Sequence, residues 1–294
     1  MKYALFFLAF ILCGSVLSGQ TTLAYNLNDG QIFMIKQDAQ QIITQELDGA
    51  AHEITNSING ILEFKVVGEK DDAYEIELRF KDLNLKMNSS IQGELMNVKA
   101  KEVVEGDMQS KIFNSLLENP VHIKLAKNGD ILSVQGGDSL VSKMADASGV
   151  DDEFSLSLMK KSLEKEFGSE ALSNSYKQMT FIYPNKELKI GDTWENEYKG
   201  KLSAKNTWTL DNITEENASI SGNATVVMDV KESATTMMLN GNQETSIVTD
   251  LSSGFIETMT VEGLAKGTST ASQIGDQEIP TTIKSIITYE LIKE

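Results

Sequence analysis

The chain has 294 residues, 40% of them apolar and 23% charged, with 43 acidic against 26 basic side chains and a net charge of −17. That much apolar surface with only three prolines excludes collagen-like and disordered classes, and the negative field makes nucleic acid and anionic membrane surfaces poor partners. The single cysteine, Cys13, falls in the leader described next, so the remainder holds no disulfide, thiol nucleophile or cysteine metal site.

Lys2 precedes an apolar run from Ala4 to Cys13, and small residues follow at Gly14, Ser15, Ser18 and Gly19. This reads as a secretory signal over residues 1–19 with cleavage between Gly19 and Gln20. Even stretched to Leu17, the run is shorter than the roughly 20 residues that cross a bilayer as a helix. The expectation is a secreted or periplasmic chain without a stable transmembrane segment. It forms one β-rich domain over 20–294, divided into β-rich 20–136, helical 137–180 and β-rich 181–294. A remainder of about 275 residues buries roughly three quarters of its unfolded surface, so packing alone can support the fold.

Two-residue alternation dominates from there on. A strand is expected at Gln31–Gln45, and a second carries Ile54, Ile58, Leu62, Phe64 and Val66 on one face. A third begins with Tyr74, Ile76, Leu78 and Phe80, then slips phase at Asp82 so that Leu83, Leu85 and Met87 become the apolar set. Such a slip predicts a β-bulge, the device that coils a sheet. A short helix at Met108–Leu117 leads to strands at Val121–Ala126 and Ile131–Val134. The period then changes. Asp138–Ala147 reads as a helix, Asp151 and Asp152 cap another bearing Leu156, Met159, Leu163 and Phe167, and Gly168 ends it before a helix with Leu172, Tyr176 and Met179. Strands resume at Thr193–Leu202, Thr207–Ile213, Asn217–Val230, Thr245–Leu251, Phe255–Leu264 and Thr281–Ile292. Polar links at Glu69–Asp72, Lys127–Asp130 and Ser252–Gly254 read as hairpin turns, which makes sequence neighbours antiparallel neighbours. The fold class is mainly β (α+β): a long, curved antiparallel sheet or incomplete barrel, one side covered by the central helical segment. Leu23–Phe33 and Tyr183–Trp194 each set a turn glycine ahead of an aromatic-bearing strand, the one hint that the β-rich stretches are duplicates.

Candidates for chemistry are few. Ser157 and Lys160 have Ser-x-x-Lys spacing but sit on the polar face of an amphipathic helix, without the motifs that accompany such a pair. His52-Glu53 lacks the second histidine of a zinc-protease motif, and His122 lies in a separate strand. Asn26, Asn28, Asp29 and Gly30 form a turn without the alternating carboxylates of a calcium loop. Asp71-Asp72 and Asp151-Asp152 read as a hairpin tip and a helix cap. Arg79, the sole arginine, offers no multi-fork anion clamp. No catalytic, metal or cofactor residue is assigned, and the chain is expected not to be an enzyme.

Ile190-Gly191-Asp192-Thr193-Trp194 and Thr249-Asp250-Leu251-Ser252-Ser253-Gly254-Phe255, with the opening Tyr25-Asn26-Leu27-Asn28-Asp29-Gly30-Gln31, resemble a secreted domain-of-unknown-function family of Bacteroidetes-type gram-negative envelopes. That resemblance implies location and a β-rich fold. More loosely, the curved sheet with helical cover is similar to periplasmic lipoprotein carriers of the LolA type. The functional expectation is a non-enzymatic envelope protein that holds a lipid or acyl chain in a half-barrel, with Met228, Met237, Met238 and Met259 as flexible wall. The alternative is a solid-core scaffold that binds another envelope protein through a sheet edge or a loop near Asn240-Gly241-Asn242.

Overall fold

The computed structural model describes residues 20–231, 235–272 and 277–293. The leader and Gly19 lie outside them, and Gln20 is the first described residue, exposed to solvent. Among the described residues, fourteen strands and four helices follow in chain order. The long strands are β2 (Ile32–Leu47), β3 (Ala50–Lys70), β4 (Ala73–Ser89), β11 (Asn217–Lys231), β12 (Thr235–Asp250), β13 (Ile256–Ala271) and β14 (Ile279–Leu291). Shorter ones are β5 (Gly93–Lys99), β6 (Val121–Ala126), β7 (Ile131–Gln135), β9 (Thr193–Tyr198) and β10 (Leu202–Ile213). Together they make one 12-stranded antiparallel sheet in the order β7-β6-β4-β3-β2-β14-β13-β12-β11-β10-β9, with β5 on the distal part of β4. The sheet is not closed into a barrel. A separate two-stranded sheet joins β1 (Thr21–Thr22) to β8 (Glu187–Leu188).

Two meanders, β2 to β7 and β9 to β14, run in the same sense across the sheet and meet where β14 pairs with β2. The two turn-glycine segments noted as a possible duplication are neighbours in space: β1, just ahead of the first, pairs with β8 in the second, Gly30 and Gly191 both have positive φ, and the rings of Tyr25 and Tyr183 meet edge to face at 5.3 Å.

Curvature arises where the sequence slips phase. Ile61 faces Asp82 and Leu62 faces Phe80, so Lys81 is the extra residue of a bulge, and a second register shift follows at Val67. Further along, β12 is pinched at Gly241, where an added Cβ would lie 2.1 Å from the Leu264 carbonyl oxygen. Along these strands some Cα atoms of β11 and β13 come within 8 Å of each other across β12. Burial raises the pKa of Tyr289 on β14, and Tyr198 of β9, five strands away along the sheet, adds to the rise.

The helices are α1 (Met108–Asn114), α2 (Gly137–Asp146), α3 (Glu153–Phe167) and α4 (Ser169–Thr180). Asp152 caps α3 by accepting from the Ser155 amide at 2.7 Å, and Gly168 both ends α3 and begins α4, as the sequence predicts. α4 buries Leu172, Tyr176 and Met179 and contacts both edge strands, β7 and β9, so it spans the opening between them. The core lies under these helices. Phe33 stacks on Phe255 with ring centroids 4.1 Å apart, and Phe64 meets Phe255 and Tyr176 edge to face. Such pairs add about 0.5–1.5 kcal/mol each beyond area burial. Tyr25, Tyr74 and Tyr183 seal that end by donating to the carbonyls of Thr180, Tyr25 and Gly254.

Several expected boundaries move. Lys199–Lys201 is a turn that divides the expected strand Thr193–Leu202, and Leu202 opens β10. β12 and β13 extend well beyond the expected Thr245–Leu251 and Phe255–Leu264, and β5 was not expected. Asn240-Gly241-Asn242 is the middle of β12 rather than a loop, because both neighbouring strands pair with it in register.

Candidate functional site

The inward positions of the strands align in transverse rows. One row runs through Asn56, Gln41, Ser285, Gly263, Gln243, Ala224, Asn206 and Asn196, each the register partner of the next, from β3 to β9. The row on its helix-covered side is Ile58, Ala39, Ile287, Val261, Thr245, Gly222, Trp208 and Trp194. On the other side lie Ile54, Ile43, Ile283, Ala265, Gly241, Val226, Ala204 and Tyr198. A band of amides and hydroxyls thus separates the main core from a distal apolar region. That region comprises two clusters, Leu239, Ala265 and Ile283 with Ile43, Met228 and Met237 against them, and Ala204, Ala224 and Val226 with Tyr198 and Leu202.

From the row of Phe33 and Phe64 to the distal end, the inward positions of β2, β3, β4 and β9–β14 hold no Lys, Arg, Asp or Glu among the described residues. His52, opposite Gln45 near the distal tip, is the one histidine there. Arg79 points outward and pairs with Glu63 at 3.0 Å and Glu77 at 2.5 Å. A sheet face in water normally carries charge on alternate residues, so an uncharged face that continues past its helical cover is shaped for an apolar neighbour.

A cleft of about 970 Å³ leads to this face between α3, α4 and the β9–β10 turn. Its rim is charged, with Lys161, Lys165 and Lys201 against Glu164, Glu166 and Glu170. Lys201 bonds Glu166 at 2.9 Å, an exposed pair worth little stability. Tyr198 and Leu202 supply its apolar wall, and Gln178 of α4 lies beside them. Burial pushes the Tyr198 hydroxyl up to about 12, against hydrogen bonds with Gln178 and Asn206. Asn206 donates to Asn196 Oδ1 at 2.9 Å and Trp208 Nε1 donates to the same oxygen at 3.0 Å, while Asn196 Nδ2 donates to the Phe181 carbonyl at 2.6 Å. Asn196 therefore ties β9, β10 and the end of α4 together.

The residues considered for chemistry are scattered. Ser157 is exposed on α3, and Lys160 lies 3.8 Å from Asp146. His52 and His122 stand on β3 and β6, which do not pair. Asp71 and Asp72 form the β3–β4 tip and pair with Lys124 and Lys127. Asn26 ties the opening turn to the Ser252 carbonyl. Among the described residues no group of three or more His, Cys, Asp or Glu is placed to hold a metal ion, and no helix is long and apolar enough to cross a membrane. The four methionines part company: Met259 is sealed in the core, Met238 faces outward, and only Met228 and Met237 share the distal inner face. Sequence reasoning missed Tyr198, Asn196, Asn206 and Gln243. Their signal was amide and hydroxyl residues recurring at inward positions of alternating strands.

Residues 71–256 match the model of a family of unknown function, DUF6263. The chain belongs to that family. The match spans the bulged strand β4, all four helices and β12, so this DUF6263 member carries the cleft within the family region. No curated protein matches the sequence. Among solved structures it is similar to one titled for lipid–protein interactions in lipovitellin, at 13% identity and a TM-score of 0.50, covering 91% of this chain and 26% of that one. The chain therefore corresponds to about a quarter of that protein's length, and the likeness is one of fold. A structure of DynF from the dynemicin pathway of Micromonospora chersina (5% identity, 94% of this chain and 87% of that one) and an outer membrane channel from Pseudomonas putida F1 (7%, 91% and 97%) both align at a TM-score of 0.26, too low to bear on the fold.

Proposed function

We infer that the protein is a secreted or periplasmic, non-enzymatic binding protein that holds a lipid or acyl chain against the distal inner face of its sheet, admitted through the cleft beside Tyr198. The observation that carries this reading is the uncharged inner face, which continues beyond the helices and ends in half-buried Ile43, Ile54, Met228 and Met237. Unbranched thioethers adapt to irregular apolar partners, and the cleft has the volume of a small-molecule site. The fold likeness to a protein whose structure is titled for lipid–protein interactions supports it further. The test is direct: protein purified from its native envelope is extracted and its lipids identified by mass spectrometry, and delipidated protein is titrated with fluorescent acyl chains. Saturable uptake weakened by Tyr198→Glu and Met228→Glu is the expected result. Failure to co-purify with lipid and failure to take up any probe would overturn it.

The filled, aromatic-rich end under α2 and α4 favours a second reading, an envelope scaffold that engages another protein. Native co-purification with a stoichiometric protein partner and no lipid would select that one.

A further inference from the structure

The transverse polar row carries an inference about the kind of ligand, and it rests on the reading above. Gln243 is 94% buried, since only 6% of its surface is exposed, yet its Oε1 has no hydrogen-bond partner. A buried acceptor left unpaired is costly, which is why such atoms normally find donors. Gln243 faces Gly263, and beyond Gly263 stands Ser285. A Cβ at Gly263 would lie 2.6 Å from the Ser285 hydroxyl oxygen, so the absence of a side chain there leaves Gln243 and Ser285 as the two polar groups flanking one bare strand position. At the end of the same row the Oδ1 of Asn56 is also buried without a partner, although its Nδ2 donates to Gln41 at 3.3 Å. On the distal side the row is bordered by Ile283, Ala265, Gly241 and Val226, which offer only apolar contact.

We propose that this site takes an uncharged amphiphile whose headgroup donates hydrogen bonds, a hydroxyl- or amide-bearing lipid such as a monoacylglycerol or fatty alcohol, with the donor seated at Gln243 and Ser285 and the chain along the distal apolar rows. A fatty-acid anion or phospholipid fits badly. Its charge would be desolvated on a face that holds no Lys or Arg among the described residues, and an ionised carboxylate brings acceptors where donors are wanted. His52 stands on β3, two residues beyond the distal row and four strands away from Gln243, so it does not border the Gln243–Ser285 position.

The test is competitive displacement of a fluorescent acyl probe from the full delipidated protein at pH 8, with monooleoylglycerol and oleyl alcohol against oleate. The uncharged lipids should displace the probe at concentrations about tenfold lower or better, because a site built to pair a polar group rejects ligands that leave it unpaired. Gln243→Leu should abolish that preference while keeping probe binding, and should leave thermal stability equal or higher, since it removes an unpaired buried amide. Ser285→Ala, a smaller change on the next strand but one, should narrow the preference in the same direction. Oleate displacing as well as or better than the neutral lipids would overturn the assignment while leaving lipid binding intact. No displacement by any of them, with no probe uptake, would overturn the parent reading as well.

Discussion

Gly222 on β11 lies directly beneath the indole of Trp208 on β10, its partner in register. A Cβ added at Gly222 would sit 2.4 Å from two atoms of the ring, and the ring cannot retreat because Trp208 is 2% exposed and its Nε1 is bonded to Asn196. Gly222→Ala is expected to cost about 1–3 kcal/mol through overpacking, seen as a lower denaturant midpoint with altered tryptophan emission. An unchanged midpoint would mean that the ring has room to move.

Asn196→Ala removes the acceptor shared by Asn206 and Trp208 and the donor to the Phe181 carbonyl. Leaving these buried groups unpaired should cost about 2–4 kcal/mol. Because Asn196 links α4 to the sheet edge, the loss should appear first as faster hydrogen exchange at the end of α4 and in β9. Uniform loss of protection across all strands would argue against a local tie.

Tyr198 is held neutral by burial, with its pKa raised from 10.0 to about 12, and Tyr25, Tyr176, Tyr183 and Tyr289 are raised in the same direction by the same cause. A folded-state pKa above the unfolded one gives stability that is complete below the unfolded value and lost as pH climbs through the folded one. Denaturant midpoints should therefore hold up to about pH 10 and fall between pH 10 and 12, with tyrosinate absorbance lagging behind model tyrosine until unfolding. Titration of Tyr25, Tyr176, Tyr183, Tyr198 and Tyr289 near 10 in the folded protein would contradict the burial.

Export should remove the leader. The protein recovered from the periplasm or medium is expected to begin at Gln20, read by N-terminal sequencing, whereas a Gly19→Pro change should leave the precursor uncut. Recovery of uncleaved chain in the cytoplasm would refute the secreted assignment.

Much of the architecture was legible because burial imposes its period on the residues. The slip at Asp82 announced the bulge at Lys81, the run Ala218 to Val230 announced the inner face of β11, and Asp152 and Gly168 announced the ends of α3. What was hidden lies at the distal end. There β12 reads Asn240-Gly241-Asn242-Gln243-Glu244, residues with weak strand preference, and pairing on both sides overrides that preference. The polar row was invisible for a different reason: its members lie on separate strands, each an ordinary amide or hydroxyl, and only register across the sheet aligns them. The four methionines misled because composition says nothing about which face each one occupies.

The seam between β14 and β2 joins the last long strand to be synthesised to the first. Until residues 279–291 arrive, the inner edge of β2 has no partner and presents open amides and carbonyls in the middle of the future sheet. Each meander can assemble from contacts close in sequence, but their union waits for residues 279–291, the slow and most aggregation-exposed kind of step. A chain that stops short of β14 is therefore left with an unpaired inner edge on β2, and the two half-sheets stay open to edge-to-edge association until β14 closes the seam.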